Sequence, residues 1–139
     1  MNDAASGIET EVKIRIGDAD SARRTIVGAG FEEIRPRIFE GNDVFDLPGD
    51  QLRNSGQLLR VRQTGDTGTI TWKGVVSTGV HKSRPELETA IGKPAAMSAI
   101  LEALGYQRTF RYEKYRTEFA SSATVGTITL DETPIGNFL

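Results

Sequence analysis

Hydrophobic and polar positions alternate strictly along residues 8–16, I-E-T-E-V-K-I-R-I. Ile8, Thr10, Val12, Ile14 and Ile16 share one side, and Glu9, Glu11, Lys13 and Arg15 the other, the period of two that a β-strand imposes. After Gly17 the period changes. Ala22, Ile26 and Val27 fall near one face of a short amphipathic helix, which Asp18 or Asp20 can cap and which Gly28 and Gly30 should end. Residues 31–47 are less regular, yet Ile34, Ile38, Val44 and Phe45 predict one long or bent strand, with Pro36 marking an edge or irregularity. Pro48-Gly49 makes a turn, Leu52 belongs to a single helical turn, and Asn54-Ser55-Gly56 turns the chain again.

Residues 58–63, L-L-R-V-R-Q, alternate with Leu59 and Val61 opposite Arg60 and Arg62. A hairpin turn at 65–68 leads to residues 69–74, where Ile70 and Trp72 oppose Thr69, Thr71 and Lys73. Trp72 reads as core beneath that strand. Residues 75–82 form a loop that carries His81. Residues 83–91 are a strand in which Arg84, Glu86 and Glu88 oppose Leu87 and Thr89, weakened at its start by Pro85. Residues 94–104 are the clearest helix: Pro94 suits the first helical position, Met97, Ile100, Leu101 and Leu104 form a core-packing stripe, and Gly105 ends it. A long strand at 106–119 carries Lys114, Arg116 and Glu118 in alternation. It turns at 120–124 into a strand at 125–131, and a strand-like run begins at 137–139. Residues 1–7 read as a loose lead-in.

The chain has 139 residues, which predicts one domain. The absence of cysteine excludes disulfides, thiolate metal sites and cysteine nucleophiles. A single histidine, His81, leaves any metal site to carboxylates, which favour the hard cations Mg²⁺, Mn²⁺ or Ca²⁺. A net charge of −2 gives no overall footprint for nucleic acid. No apolar run approaches the length of a membrane span and no leader pattern is visible, so the expected location is the cytoplasm.

The charged faces then become the main signal. Glu9, Glu11, Lys13 and Arg15 recur in kind as Arg60 and Arg62, Lys73, Arg84 with Glu86 and Glu88, Lys114 with Arg116, and Asp131. Two arrangements satisfy this pattern. The charges are solvated outer faces around an apolar core, or they point together into a closed sheet whose apolar outer side packs under two helices. In the second case the lining suits a polyanion, since Arg forks onto phosphate and Lys acts as a point charge. The acidic rows would repel phosphate unless divalent cations lie between, so the mixture points to a metal–triphosphate ligand.

The same residues resemble a family. The chain is similar to the CYTH superfamily, the triphosphate tunnel enzymes, whose hallmark E-x-E-x-K stands here as Glu9-Thr10-Glu11-Val12-Lys13. Arg60-Val61-Arg62 stands as its R-x-R, Lys73 ends its T-x-K strand, and Arg84-Pro85-Glu86-Leu87-Glu88 resembles its R-x-E-x-E element. Lys114-Tyr115-Arg116 stands as its K-x-R, and Asp131 with Gly136 and Phe138 resembles its D-x-x-x-x-G-x-F segment. The resemblance implies an α+β fold, an antiparallel eight-stranded β-barrel forming a tunnel with helices packed outside. It implies a single domain over residues 1–139, shortened at its end because the family continues past G-x-F into an acidic E-x-E strand. It implies that Lys13, Arg60, Arg62, Lys73, Arg84, Lys114 and Arg116 bind the triphosphate, and that Glu9, Glu11, Glu86, Glu88 and Asp131 hold Mg²⁺ or Mn²⁺.

Lys13, Lys114 and Glu9 are the candidates to orient an attacking water. Val44 stands where many members carry a tyrosine that would assist Lys13. The expected activity is a metal-dependent triphosphatase acting on tripolyphosphate, thiamine triphosphate or ATP. The alternatives are an adenylyl cyclase of class IV type, which forms cyclic AMP and pyrophosphate, and a non-catalytic triphosphate-binding module. Neither nucleic acid nor membrane is an expected partner, and an open strand edge would suit a homodimer.

Overall fold

The strictly alternating first stretch folds as two strands. The computed structural model describes residues 5–139, and in it β1 spans Ala5–Glu11 while β2 is the short Arg15–Ile16. Between them the chain leaves one pairing partner for another, so alternation continues across a break that the sequence does not mark. Residues 5–7 of the expected lead-in belong to β1, and residues 1–4 lie outside the described residues.

Helix α1 (Ala19–Gly28) is capped by Asp18, whose carboxylate accepts from the Ser21 amide at 2.8 Å. Strand β3 runs the full Glu32–Asp46, with Pro36 inside it. The single turn α2 (Gln51–Asn54) is held by Asp46, which accepts from the amides of Leu47, Leu52 and Arg53. Strands β4 (Leu58–Thr64) and β5 (Thr67–Lys73) form a hairpin around Gly65 and Asp66, with Gly65 at φ +63°. Strand β6 is Lys82–Ile91 and helix α3 is Pro94–Ala103. Gly105, at φ +98°, ends that helix as the amide of Tyr106 turns back to the Leu101 carbonyl at 2.9 Å. Strands β7 (Gln107–Ala120), β8 (Thr127–Thr133) and β9 (Gly136–Phe138) complete the order.

The strands pair in the order β1-β6-β5-β4-β3-β7-β8-β9-β2. The fold class is the expected one, an antiparallel sheet with a few helices. The described residues hold nine strands where eight were expected, because the first stretch divides. The chain separates into two compact units. The first comprises Met1–Glu11 and Gly41–Tyr112, the second Val12–Glu40 and Glu113–Leu139. Strands β3 and β7 contribute a half to each.

In the first unit, Phe45, Val61 and Leu101 form the core, with Leu59, Ile70, Ile91, Met97 and Tyr106 packed on it. Leu59 and Val61 alternate with Arg60 and Arg62, so α3 lies on the apolar face and the charged face is opposite. Only part of the predicted α3 stripe is used: Leu101 is buried and Met97 half-buried, while Ile100 and Leu104 are exposed. Trp72 is half-buried and donates from Nε1 to Gln57 at 2.9 Å. In the second unit, Ile26 of α1 packs on Phe119 and Leu130, joined by Ile16, Ile128 and Leu139. Along the first stretch, Ile16 is thus packed, whereas Ile8, Val12 and Ile14 are exposed. No helix among the described residues is long and apolar enough to cross a membrane.

Candidate functional site

Strand register decides which side chains share a face, because residues directly opposite in an antiparallel pair point the same way. In the first unit Arg62 stands between Asn42 and Thr69, and Arg60 between Val44 and Thr71. Thr71 is in turn opposite Glu88, and Lys73 opposite Glu86. Glu9 is opposite Arg84. One face of β1-β6-β5-β4-β3 therefore carries Glu9, Arg84, Glu86, Lys73, Glu88, Arg60 and Arg62.

The contacts along this face are specific. The Lys73 ammonium reaches past its register partner to both carboxylate oxygens of Glu9, at 2.8 and 2.6 Å. Burial works against charge on Glu9, and Lys73 more than offsets it, so Glu9 titrates below the usual carboxylate range. Glu86 moves the other way: burial first, then the negative charge of Glu9, pushes its carboxyl up. Glu88 accepts from the Thr71 hydroxyl at 2.6 Å and lies 3.8 Å from the Arg60 guanidinium. Arg60 is buried, with Thr71 and the Tyr112 hydroxyl each 3.4 Å away. Arg84 donates to the carbonyls of Gly74 and Gly56, at 2.8 and 3.2 Å, and so ties two loops together. Glu11 is exposed and stands opposite Lys82.

In the second unit Arg116 grips Asp131 with two parallel hydrogen bonds, each 2.7 Å, and Lys114 adds a third at 3.0 Å. Burial opposes the charge on Asp131, and Arg116 outweighs burial, so Asp131 is held below the usual range. Burial likewise opposes the charge of Arg116, and Asp131 pushes its pKa up. Glu40, 5% exposed, lies 4.0 Å from Lys114. Lys13 falls in the break between β1 and β2, with its ammonium 4.7 Å above the Phe138 ring. Arg15 donates to the Ile135 carbonyl at 3.1 Å.

The structure thus gathers Glu9, Glu86 and Lys73 in one cluster and Lys114, Arg116 and Asp131 in another. Three site-face residues were not among the candidates: Glu40, Asn42 and Thr71. The first two stand two apart on β3, the spacing that would have placed them on one face. Thr71 stands two before Lys73. His81 is exposed in its loop.

The implied divalent cation finds a partial shell. Among the described residues no three acidic or histidine side chains converge. The Glu9–Glu86 pair supplies hard oxygen donors, and Glu86 is pushed up by burial first and then by the negative charge of Glu9. A Mg²⁺-type ion is commonly held by one or two carboxylates plus substrate phosphates, so this pair fits it.

The CYTH domain family matches residues 7–139. The chain belongs to the CYTH family. This CYTH chain is 27% identical over 109 residues to a Methanocaldococcus jannaschii protein, MJ0240, named as a proposed adenylate cyclase. That match covers 78% of the chain and 62% of the relative, so the CYTH chain spans less than two thirds of that relative's length. Solved structures show the same fold. A proposed adenylate cyclase from Vibrio parahaemolyticus superposes with a TM-score of 0.74 at 21% identity, over 96% of this chain and 72% of that one. HpAC1 from Hippeastrum, a proposed adenylyl cyclase described as having a dominant triphosphatase activity, gives 0.69 at 16% identity, over 94% and 76%.

Proposed function

We propose that this CYTH chain is a divalent-metal-dependent triphosphatase. The observation that carries the reading is the single face on which Arg60, Arg62, Lys73 and Arg84 interleave with Glu9, Glu86 and Glu88. Basic groups alone would suit any polyanion. Carboxylates in adjacent positions suit a polyanion that arrives with a cation.

In the first unit Lys73, Arg60, Arg62 and Arg84 are the side chains to take phosphate oxygens, and Lys13, Lys114 and Arg116 are the corresponding basic candidates of the second. Their fixed positive charge would stabilise charge building on the transferring phosphoryl group, which is where phosphoryl transfer gains most. Glu9 and Glu86 would hold a divalent cation, with Glu11 and Glu88 as further oxygen donors of the first unit and Asp131 as the acidic candidate of the second, and the cation would supply positive charge against the phosphate. The attacking water adds to the terminal phosphorus, the bridging P–O bond breaks, and inorganic phosphate leaves from a diphosphate product. Glu9, kept ionised by Lys73, can accept a hydrogen bond from that water; Lys13 and Lys114, in the second unit, are the other candidates to orient it. Substrates of this class are inorganic tripolyphosphate, thiamine triphosphate and ATP.

The relatives' names favour a second reading, in which the 3′-hydroxyl of ATP attacks the α-phosphorus and pyrophosphate leaves. A triphosphate-binding module without turnover is a third. One experiment separates them: thermal stability with each triphosphate, with and without Mg²⁺ or Mn²⁺, followed by product analysis. Stabilisation with phosphate release supports the triphosphatase. Stabilisation by ATP with cyclic AMP and pyrophosphate replaces it with the cyclase, and stabilisation without product with the binding module. No stabilisation by any triphosphate overturns all three.

A further inference from the structure

We infer that Thr69, with Asn42 in the same row, holds the uncharged head of an organic triphosphate. The inference rests on the triphosphate reading above and names a substrate class within it: triphosphates whose head group carries hydrogen-bonding groups and no charge, as a nucleoside does.

Thr69 lies on the charged face of the first unit, directly opposite Arg62 on β4 and Ala90 on β6. Its Oγ1 is buried without a hydrogen-bond partner. Thr71, two residues on, has a different neighbour. It stands opposite Glu88, and its hydroxyl donates to that carboxylate at 2.6 Å. Asn42 stands on the other side of Arg62 in the Thr69 row. It is 0% exposed; its Oδ1 accepts from Arg62 Nε at 2.8 Å, while its Nδ2 has no partner. One row therefore holds two buried polar atoms left unpaired. Such atoms are unfavourable for stability, and an apolar side chain of similar size would avoid the loss at Thr69. A ligand that pairs both atoms supplies a reason for them.

The chemistry of the row sets what it binds. A hydroxyl donates and accepts, and a carboxamide nitrogen donates, which suits the hydroxyl, carbonyl and ring-nitrogen groups of an uncharged head. The position of the row sets which part of the substrate it meets. Thr69 is roughly 13 Å along β5 from Lys73, which is held at Glu9. Glu9 and Glu86, the carboxylates suited to a cation, are at the Lys73 end. A long side chain such as Arg62 can reach back along the face, and the short Thr69 and Asn42 cannot. They meet the substrate beyond its triphosphate.

The test is calorimetric binding of ATP and of inorganic tripolyphosphate, each with Mg²⁺, by the full chain and its variants. Thr69→Val should weaken ATP binding about tenfold and tripolyphosphate binding less than twofold, with no fall in Tm, because the hydroxyl has no partner in the protein to lose. Thr69→Ser restores the hydroxyl and should bind both ligands within about twofold of the wild type. Equal losses for the two ligands in Thr69→Val would make Thr69 a phosphate contact or a packing residue and overturn the inference, as would undiminished ATP binding. Asn42→Asp keeps an oxygen to accept from Arg62 and removes the amide donor. Its added charge acts on the phosphates of both ligands, so the ratio of ATP to tripolyphosphate affinity reports the donor alone. That ratio should fall several-fold, and an unchanged ratio would remove Asn42 from the site. A wild type that binds neither ligand defeats the parent reading and this one together. A wild type that binds both, with Thr69→Val matching it, defeats only this one.

Discussion

Lys73 and Glu9 are 64 residues apart in sequence, and the lysine ammonium lies within hydrogen-bond distance of both glutamate oxygens. They join β5 to β1 across the intervening β6. Replacing Lys73 with methionine would leave Glu9 facing Glu86 without its counter-charge. The pair is partly exposed, so solvent screening should hold the loss to about 1–2 kcal/mol rather than that of a fully buried pair. The native Glu9 pKa is depressed, so its stabilisation is present above the unfolded value and lost as pH falls through the folded one. In Lys73→Met that acid-side loss should begin at higher pH. Urea denaturation from pH 3 to 8 measures both effects, and an unchanged profile would count against the pair.

Glu86 has the opposite sign. Its folded pKa is raised, so its favourable contribution is complete below the ordinary value of 4.5 and is lost as pH rises through the folded value. At pH 7–8 the ionised side chain sits near Glu9 at a penalty. Glu86→Gln should therefore raise Tm at pH 8, and the gain should vanish below pH 4.5. The same variant should weaken Mg²⁺-dependent tripolyphosphate binding while sparing the metal-free component. A lower Tm at pH 8 would show that Glu86 is not under like-charge strain.

Asp131 answers for the second unit. It is buried and accepts three charge-assisted hydrogen bonds from Arg116 and Lys114. Asp131→Asn keeps the shape and removes the charge, leaving the half-buried Arg116 and Lys114 without that counter-charge, at a loss of about 3 kcal/mol. Because Asp131 is held below its ordinary value of 3.8, the wild type keeps this stabilisation above that pH and loses it only as pH falls through the folded pKa. The variant should lack that steep acid limb, as a comparison of midpoint against pH from 2 to 7 would reveal.

These arguments use residues of unequal visibility in the sequence. Arg60 with Arg62, and Lys114 with Arg116, were legible because paired charges two apart declare a strand face, and the register confirms the alternation. Asn42 and Glu40 were not. They lie in the irregular 31–47 stretch, and a neutral amide signals nothing until Arg62 is found opposite it. The division of the first stretch was equally hidden. Alternation persists through Val12 and Lys13 because it is a local property, whereas the change of partner from β6 to β9 is a long-range one. The exposed Ile100 and Leu104 mark the same limit: a helical stripe gives the apolar side of α3, and the tertiary packing decides how much of it is covered.

The hairpin that presents Arg62 offers a control within one turn. A Cβ at Gly68 would collide with the Arg62 carbonyl and lie 2.9 Å from Cγ of Pro94. Backbone cannot yield as a flexible side chain does, so Gly68→Ala should cost about 2 kcal/mol or more and displace Arg62. Gly65, three residues away, has open space around the same imagined atom but a φ of +63°. Gly65→Ala should cost about 1 kcal/mol through backbone strain alone. Denaturation midpoints should rank the two, and tripolyphosphate binding measured well below each midpoint should be weakened in Gly68→Ala and unchanged in Gly65→Ala. Equal binding by both would mean that the Arg62 backbone does not set its grip on the ligand.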